Sequence, residues 1–236
     1  PVVIVVGEVV RLRDQLRWFD SRPLFGKRIL VTRTRQQASA LSELLVMRGA
    51  EPVELPTIEV QPPESYDPLD KALGSLAGYR WIGFTSVNGV EAFFERLNVL
   101  GLDSRALGGV KVCAIGPATA AALAQRGISA DFVPEEYVSE SVLEGFRQRG
   151  VAGASVLLPR ADIGRDLLAE GLASLGAKVD NVAAYRTVTP SGSRAKAREM
   201  LEDGKIDVVT FTSSSTVRNL LGLLGGDVHV LAGAMV

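Results

Sequence analysis

The chain of 236 residues is long enough for one large or two modest domains with a sizeable buried core. It is 47% hydrophobic and 22% charged, and its 26 basic and 27 acidic side chains leave a net charge of -1, which excludes both a disordered chain and a basic nucleic-acid binder. One cysteine and one histidine cannot build a disulfide framework or a Cys/His zinc cage and point to a reducing compartment, while Arg and Asp interrupt the apolar runs before any reaches the ~18 residues of a membrane span.

In chain order, Pro1 to Val10 (PVVIVVGEVV) is β-branched and strand-like, and the helical pattern RLRDQLRWF follows it to the turn-forming cluster Asp20-Ser21-Arg22-Pro23. Residues 1–22 therefore read as the tail of another unit. Ile29 to Arg33 (ILVTR) opens a strand, continued by the helical pattern ASALSELLVMRGA and the strand EPVELPTIEV. The same plan recurs over residues 156–188, as VLLPR, GRDLLAEGLASLGA and KVDNVAAYRTV. A shift of 127 places Arg33 on Arg160, Gly49-Ala50 on Gly176-Ala177, Ile58 on Tyr185 and Phe84-Thr85-Ser86 on Phe211-Thr212-Ser213. At the other end, HVLAGAMV resembles a strand awaiting its helix, and residues are expected beyond it.

Short apolar strands alternating with helices predict α/β lobes with parallel sheets, here two lobes from an internal duplication. Ligands of such sheets bind beyond the carboxyl ends of the strands, so the strand-to-helix turns are the candidate site. Arg33, Arg160 and Arg165 lie at such turns, where they either hold carboxylates or solvate a face. Thr85-Ser86 and Thr212-Ser213-Ser214 precede helices, either as simple N-caps or as part of an anion site. Gly116-Pro117-Ala118-Thr119 follows the strand VKVCA; its glycine allows close approach of a ligand to the backbone, and at the shift of 127 its counterpart falls beyond Val236. Tyr185 puts a phenol where the other copy has Ile58, at the point where the repeat plan takes the chain between lobes, and is a candidate proton donor as well as a packing residue. Cys113 and His229 lie in apolar strand contexts and read as core. Neither a Walker loop nor a Rossmann glycine fingerprint is present.

Taken together and in order, GKRILVTRTRQQASALSELLVMRGAEPVELPTIEV, WIGFTSVNGVEAFFERL, VCAIGPATAAAL, LPRADIGRDLLAEGLASLGAKVDNVAAYRTV and VVTFTSSSTVRNLL resemble the uroporphyrinogen-III synthases over roughly residues 25–236. PVVIVVGEVVRLRDQLRWF is similar to the last strand and helix of uroporphyrinogen-III C-methyltransferase, an enzyme often fused to the synthase, which makes residues 1–22 a remnant of that partner. The resemblance implies two α/β lobes joined by a two-stranded hinge near Pro56–Val60 and Tyr185–Thr189, with 25–59 and 186–236 in one lobe and 60–184 in the other. It implies cyclisation of hydroxymethylbilane, a linear tetrapyrrole with eight carboxylates, to uroporphyrinogen III by way of a spiro intermediate, in the cytoplasm and without a cofactor. Tyr185 is then the catalytic residue, assisting departure of the hydroxyl, and Thr85, Ser86, Thr119 and Ser213 match binding-loop positions, with Gly116, Ser214 and the three arginines joining them as substrate contacts. A fused or neighbouring methyltransferase is the implied partner, with no nucleic acid and no membrane. The alternative is a non-catalytic module of the same scaffold that senses a tetrapyrrole or another polyanion; no helix-turn-helix or receiver domain of the kind that accompanies such modules is visible in the sequence.

Overall fold

The computed structural model describes residues 4–32, 35–162, 167–190, 193–202, 204–211 and 214–235. Its regular elements are α1 (Arg13–Leu16), β1 (Arg28–Val31), α2 (Arg35–Met47), β2 (Glu51–Glu54), β3 (Glu59–Gln61), α3 (Asp67–Leu73), β4 (Trp81–Phe84), α4 (Val87–Val99), β5 (Lys111–Ala114), α5 (Pro117–Gln125), α6 (Ser139–Gln148), β6 (Ser155–Ala161), α7 (Leu167–Ser174), β7 (Lys178–Val188), α8 (Ser193–Glu202), β8 (Val208–Thr210) and α9 (Ser214–Leu223), with short 3-10 turns between some of them. The chain divides into two compact units, Pro1–Glu59 with Val188–Val236, and Val60–Thr187. Arg186 and Thr187 thus belong to the second unit, two residues past the boundary expected from sequence.

The strands of the first unit run in the order β2-β1-β8, and those of the second in the order β3-β7-β6-β4-β5. The duplication is legible in the register itself. β1 lies parallel to β2 with Arg28 opposite Glu51, and β6 lies parallel to β7 with Ser155 opposite Lys178, the same pairing displaced by 127. Val208 faces Ile29 across β8 and β1 as Trp81 faces Val156 across β4 and β6. The helix ends repeat as well: the amide of Ala50 donates to the Leu45 carbonyl, and the amide of Ala177 to that of Leu172. Between these groups Gly49 and Gly176 take φ values of 92° and 85°, a left-handed turn that glycine adopts without steric cost.

After β8 the displacement changes from 127 to 124, because α9 has 10 residues where α4 has 13. The 3-10 turns Ser104–Leu107 and Val228–Leu231 match at the new offset, each capped by an aspartate, Asp103 or Asp227, whose carboxylate accepts from the amide two residues on. Met235 then pairs with Val208 as Lys111 pairs with Trp81.

The strands β4, β5 and β6 of the second sheet are buried on both faces over most of their length because helices cover both. The pleat sends Ile82, Phe84, Val112, Ala114 and Leu157 into a core with α3, α4 and α5, and Trp81, Cys113, Val156 and Leu158 into a second core with α6 and α7. Leu30, Leu55, Val209 and Leu220 centre the core of the first unit. No helix among the described residues is long and apolar enough to cross a membrane.

Three local expectations are corrected. Residues 4–6 form no strand: Ile4 and Val6 are 84% and 87% exposed, and without a neighbouring strand a β-branched run has nothing to pair its backbone with. The helical pattern after them is short, a 3-10 turn at Glu8–Leu12 followed by the single turn α1. The HVLAGAMV run likewise begins inside a 3-10 turn, not a strand, and exposes His229, whose amide donates to Asp227; the Asp cap pulls the backbone into a turn and takes this residue out of the core. Cys113, by contrast, is fully buried.

Candidate active site

In the second sheet the connection from β4 leads outward to β5 and the connection from β6 leads the other way to β7, so a crevice opens at the carboxyl ends of the adjacent strands β6 and β4. Arg160 near the end of β6, Thr85 just after β4 and Ile115 just after β5 meet there. With Tyr137, Val138, Val142 and Leu168 they line a cavity of about 220 Å³ in the second unit. Its side-chain polar groups are one guanidinium, one phenol and one threonine hydroxyl, set among four aliphatic side chains.

Two helices start beside it. Ser86 has extended backbone, and its Oγ accepts from the amide of Gly89 at 3.0 Å, capping α4. The other early amides of α4 lack intrahelical acceptors and carry the positive end of the helix dipole. α5 starts one strand over: Gly116 is its N-cap, with φ 96°, and Pro117 occupies the first turn, where a missing N–H costs nothing. The Tyr137 ring lies beside Gly116, where a Cβ would meet it at 3.7 Å, an ordinary contact, so it is the positive φ and not the space that calls for glycine.

Tyr185 enters from β7. β6 and β7 keep register from Ser155–Lys178 to Arg160–Ala183 and then slip, so that Ala161 stands opposite Tyr185. Such a bulge re-aims a side chain. The Tyr185 ring joins the α3/α4/α5 core and is 7% exposed, while its hydroxyl lies 3.0 Å from Ser86 Oγ. Either oxygen can donate. When Ser86 donates, the phenolic proton is left for another acceptor, and Ser86 Oγ still accepts from Gly89. Gly89 makes room for this arrangement: a Cβ there would sit 3.1 Å from the Pro159 carbonyl and 3.3 Å from Ser86 Oγ.

Of the residues nominated from sequence, the structure therefore joins Ser86 to Tyr185 and brings Thr85 and Arg160 into one cavity. Thr119 is buried and donates its hydroxyl to the Ile115 carbonyl four residues back. Arg33, Arg165 and Ser213 lie outside the described residues, and Ser214 is described only as the first residue of α9. Sequence patterning misses Tyr137. It lies in the loop before α6, and an aromatic ring following two acidic residues, Glu135 and Glu136, gives no periodic signal.

Among family models, that of "Uroporphyrinogen-III synthase HemD" matches residues 39–234. A "Porphyrin biosynthesis protein HemD" of Ruminiclostridium josui is 38% identical over 94% of this chain, which spans only 44% of that relative's length. A uroporphyrinogen-III synthase of Synechococcus elongatus is 37% identical over 89% of this chain and 79% of its own. Among solved structures, a mutant uroporphyrinogen III synthase from Thermus thermophilus shares the fold, with a TM-score of 0.66 at 21% identity, covering 88% of this chain and 81% of that one. The matched residues take in both units and every strand but the first, so the chain belongs to the uroporphyrinogen-III synthase family.

Proposed function

We propose that this chain cyclises hydroxymethylbilane to uroporphyrinogen III, with loss of water and inversion of the last pyrrole ring. Beside family membership, the observation that carries the reading is the Tyr185–Ser86 pair at the start of α4, next to the cavity that holds Arg160. Loss of the substrate's hydroxyl gives an azafulvene, whose electrophilic methylene is attacked by the substituted carbon of the last ring; the spiro intermediate then fragments and recloses. The departing hydroxide needs a proton, and Tyr185 supplies it, with its ring fixed by the core and its oxygen held by Ser86. Carboxylates of the substrate take the amides at the starts of α4 and α5 and the Arg160 guanidinium, with the Tyr137 face as an apolar wall. Thr85 lines the same cavity. Gly116 allows close backbone approach, and Arg33, Arg165, Ser213 and Ser214 act as further substrate contacts in this reading. Because the linear substrate also closes unaided to isomer I, the enzyme's main contribution is to hold it in the geometry from which the spiro route wins.

The reading extends to a partner and a compartment. The methyltransferase-like character of residues 1–22 supports a fused or neighbouring C-methyltransferase that consumes the product. An unpaired, buried Cys113 fits a reducing cytoplasm.

The test supplies hydroxymethylbilane, generated in situ, and separates the uroporphyrin isomers after oxidation. A majority of isomer III is expected. Tyr185→Phe should lower kcat by roughly 10²–10⁴-fold, the usual contribution of a positioned acid. Isomer I alone from the wild-type chain would refute the proposal.

A further inference from the structure

The first unit contains a second cavity, of about 360 Å³, in the groove between α8 and α9. Thr189, Pro190 and Arg194 line one side, and Arg218, Asn219 and Leu223 the other. The duplication supplies an internal control for this groove, since α3 and α4 stand at the same places in the second unit. There the groove is plugged. Arg96 forms a two-pronged bond to Asp70, at 2.6 and 2.5 Å, and its guanidinium lies 4.1 Å over the Tyr66 ring. The counterparts of these three residues are Leu223, Ala197 and Ser193, which cannot rebuild the plug. The lining charge is also inverted: Arg194 and Arg218 stand where the second unit has Asp67 and Glu91. Among the described residues neither arginine is engaged in an ion pair.

Loss of the plug and reversal of both charges are separate changes in sequence, and both favour an anionic occupant of the same groove. Two guanidinium forks each match one carboxylate, and the Asn219 amide and Thr189 hydroxyl add neutral donors. At about 30 Å³ per water the cavity has room for roughly a dozen, far more than one inorganic oxyanion needs. We propose that the α8/α9 groove binds a polycarboxylate, with one carboxylate on Arg194 and another on Arg218. The acid arms of the tetrapyrrole and a free di- or tricarboxylic acid share this chemistry; the first source rests on the synthase reading, and the second does not.

Citrate is the probe, with inorganic phosphate at matched ionic strength as the control, titrated calorimetrically into the full chain. The variants are Arg194→Asp and Arg218→Glu, singly and together, which install the second unit's own residues at these positions; circular dichroism and the melting temperature report whether they fold as the wild type does. Saturable citrate binding is expected, weakened by roughly tenfold in each single variant and more in the double one, as for a lost charged hydrogen bond. Phosphate should bind more weakly than citrate. No saturable citrate binding, equal binding by the double variant, or phosphate binding as tight as citrate would overturn the proposal. Steady-state assays then separate the sources: a raised KM for hydroxymethylbilane in the double variant assigns the groove to the substrate's own arms, and an unchanged KM with lost citrate binding assigns it to a free acid. Calorimetry needs no turnover, so failure of the synthase reading leaves the citrate result interpretable.

Discussion

The hydrogen bond between Ser86 and Tyr185 predicts a specific non-additivity. Ser86→Ala removes the cap on α4 and the contact to the phenol, at about 1 kcal/mol for the cap and about 1 kcal/mol for the bond. Tyr185→Phe removes only the bond, about 1 kcal/mol, because Ser86 Oγ keeps Gly89 as a donor. The double variant should therefore be hardly less stable than Ser86→Ala alone, a coupling of about 1 kcal/mol between the two sites. A chain of two units need not unfold in one step, so the probe must report on the second unit only. Trp81 does so: it is 2% exposed in that unit's core, and replacing the exposed Trp18 with Phe leaves it as the sole indole. Urea unfolding followed by its fluorescence measures the cycle. Effects additive to within about 0.3 kcal/mol would show that the two hydroxyls do not bond in solution, and the role given to Ser86 would fall with them.

Three further outcomes follow from the packing and the ion pairs. The Arg96 guanidinium bonded to Asp70 holds that carboxyl below its ordinary value, so the pair stabilises the folded state above the unfolded carboxyl's pKa, about 4, and the benefit is lost as pH falls through the lower folded value. The gap in urea midpoint between wild type and Asp70→Asn should be constant from about pH 5 to 8 and close below about pH 4; a gap that widens in acid would contradict this. Burial pushes the Cys113 thiol up to about 12, so a disulfide reagent should leave the native chain unlabelled at pH 8 and titrate one thiol in urea. Gly145→Ala drives a Cβ into the Phe132 ring, which Phe146 and the Arg149 guanidinium hold in place, and should cost about 1–3 kcal/mol in the second unit's stability; pairing it with Phe132→Leu should recover part of the loss.

The parts of this fold that are legible in the sequence are those set by local chemistry repeated twice. Gly49-Ala50 and Gly176-Ala177 mark helix ends because only glycine takes the left-handed turn cheaply, and Phe84-Thr85-Ser86 marks a strand end because a hydroxyl is needed to cap the helix after it. The less legible parts depend on partners distant in the chain. Whether the Pro1–Val10 run becomes a strand is decided by a neighbouring strand and not by β-branching, and its described residues 4–6 pair with none. His229 reads as core because its neighbours are apolar, yet Asp227 two residues earlier closes a turn that exposes it. The three-residue change of offset is equally invisible, since it falls in the poorly patterned stretch after α9 and shows only when Met235 is seen opposite Val208. For Thr119 the spacing places it at the start of α5, and what the sequence does not show is that its buried hydroxyl donates to the Ile115 carbonyl.

Tyr185 owes its position to one extra residue. On an unbroken pleat neighbouring side chains point to opposite faces, so with Ala184 in the α3/α4/α5 core Tyr185 would turn toward the other layer. The slip in register opposite Arg160 and Ala161 lets Ala184 and Tyr185 share a face, and that is the face on which Ser86 starts α4. In the first copy β2 ends at Glu54, ahead of Ile58, so no strand carries a side chain to the corresponding place. Inserting an alanine between Arg160 and Ala161, which gives Ala184 a partner, should therefore restore regular pairing and turn Tyr185 off the core face, keeping the ring and losing the bond to Ser86. The expected result is a kcat as low as that of Tyr185→Phe, with Ser86→Ala adding nothing to the loss. An insertion variant that folds, as judged by Trp81 fluorescence, and keeps wild-type formation of isomer III would show that the bulge does not position the acid.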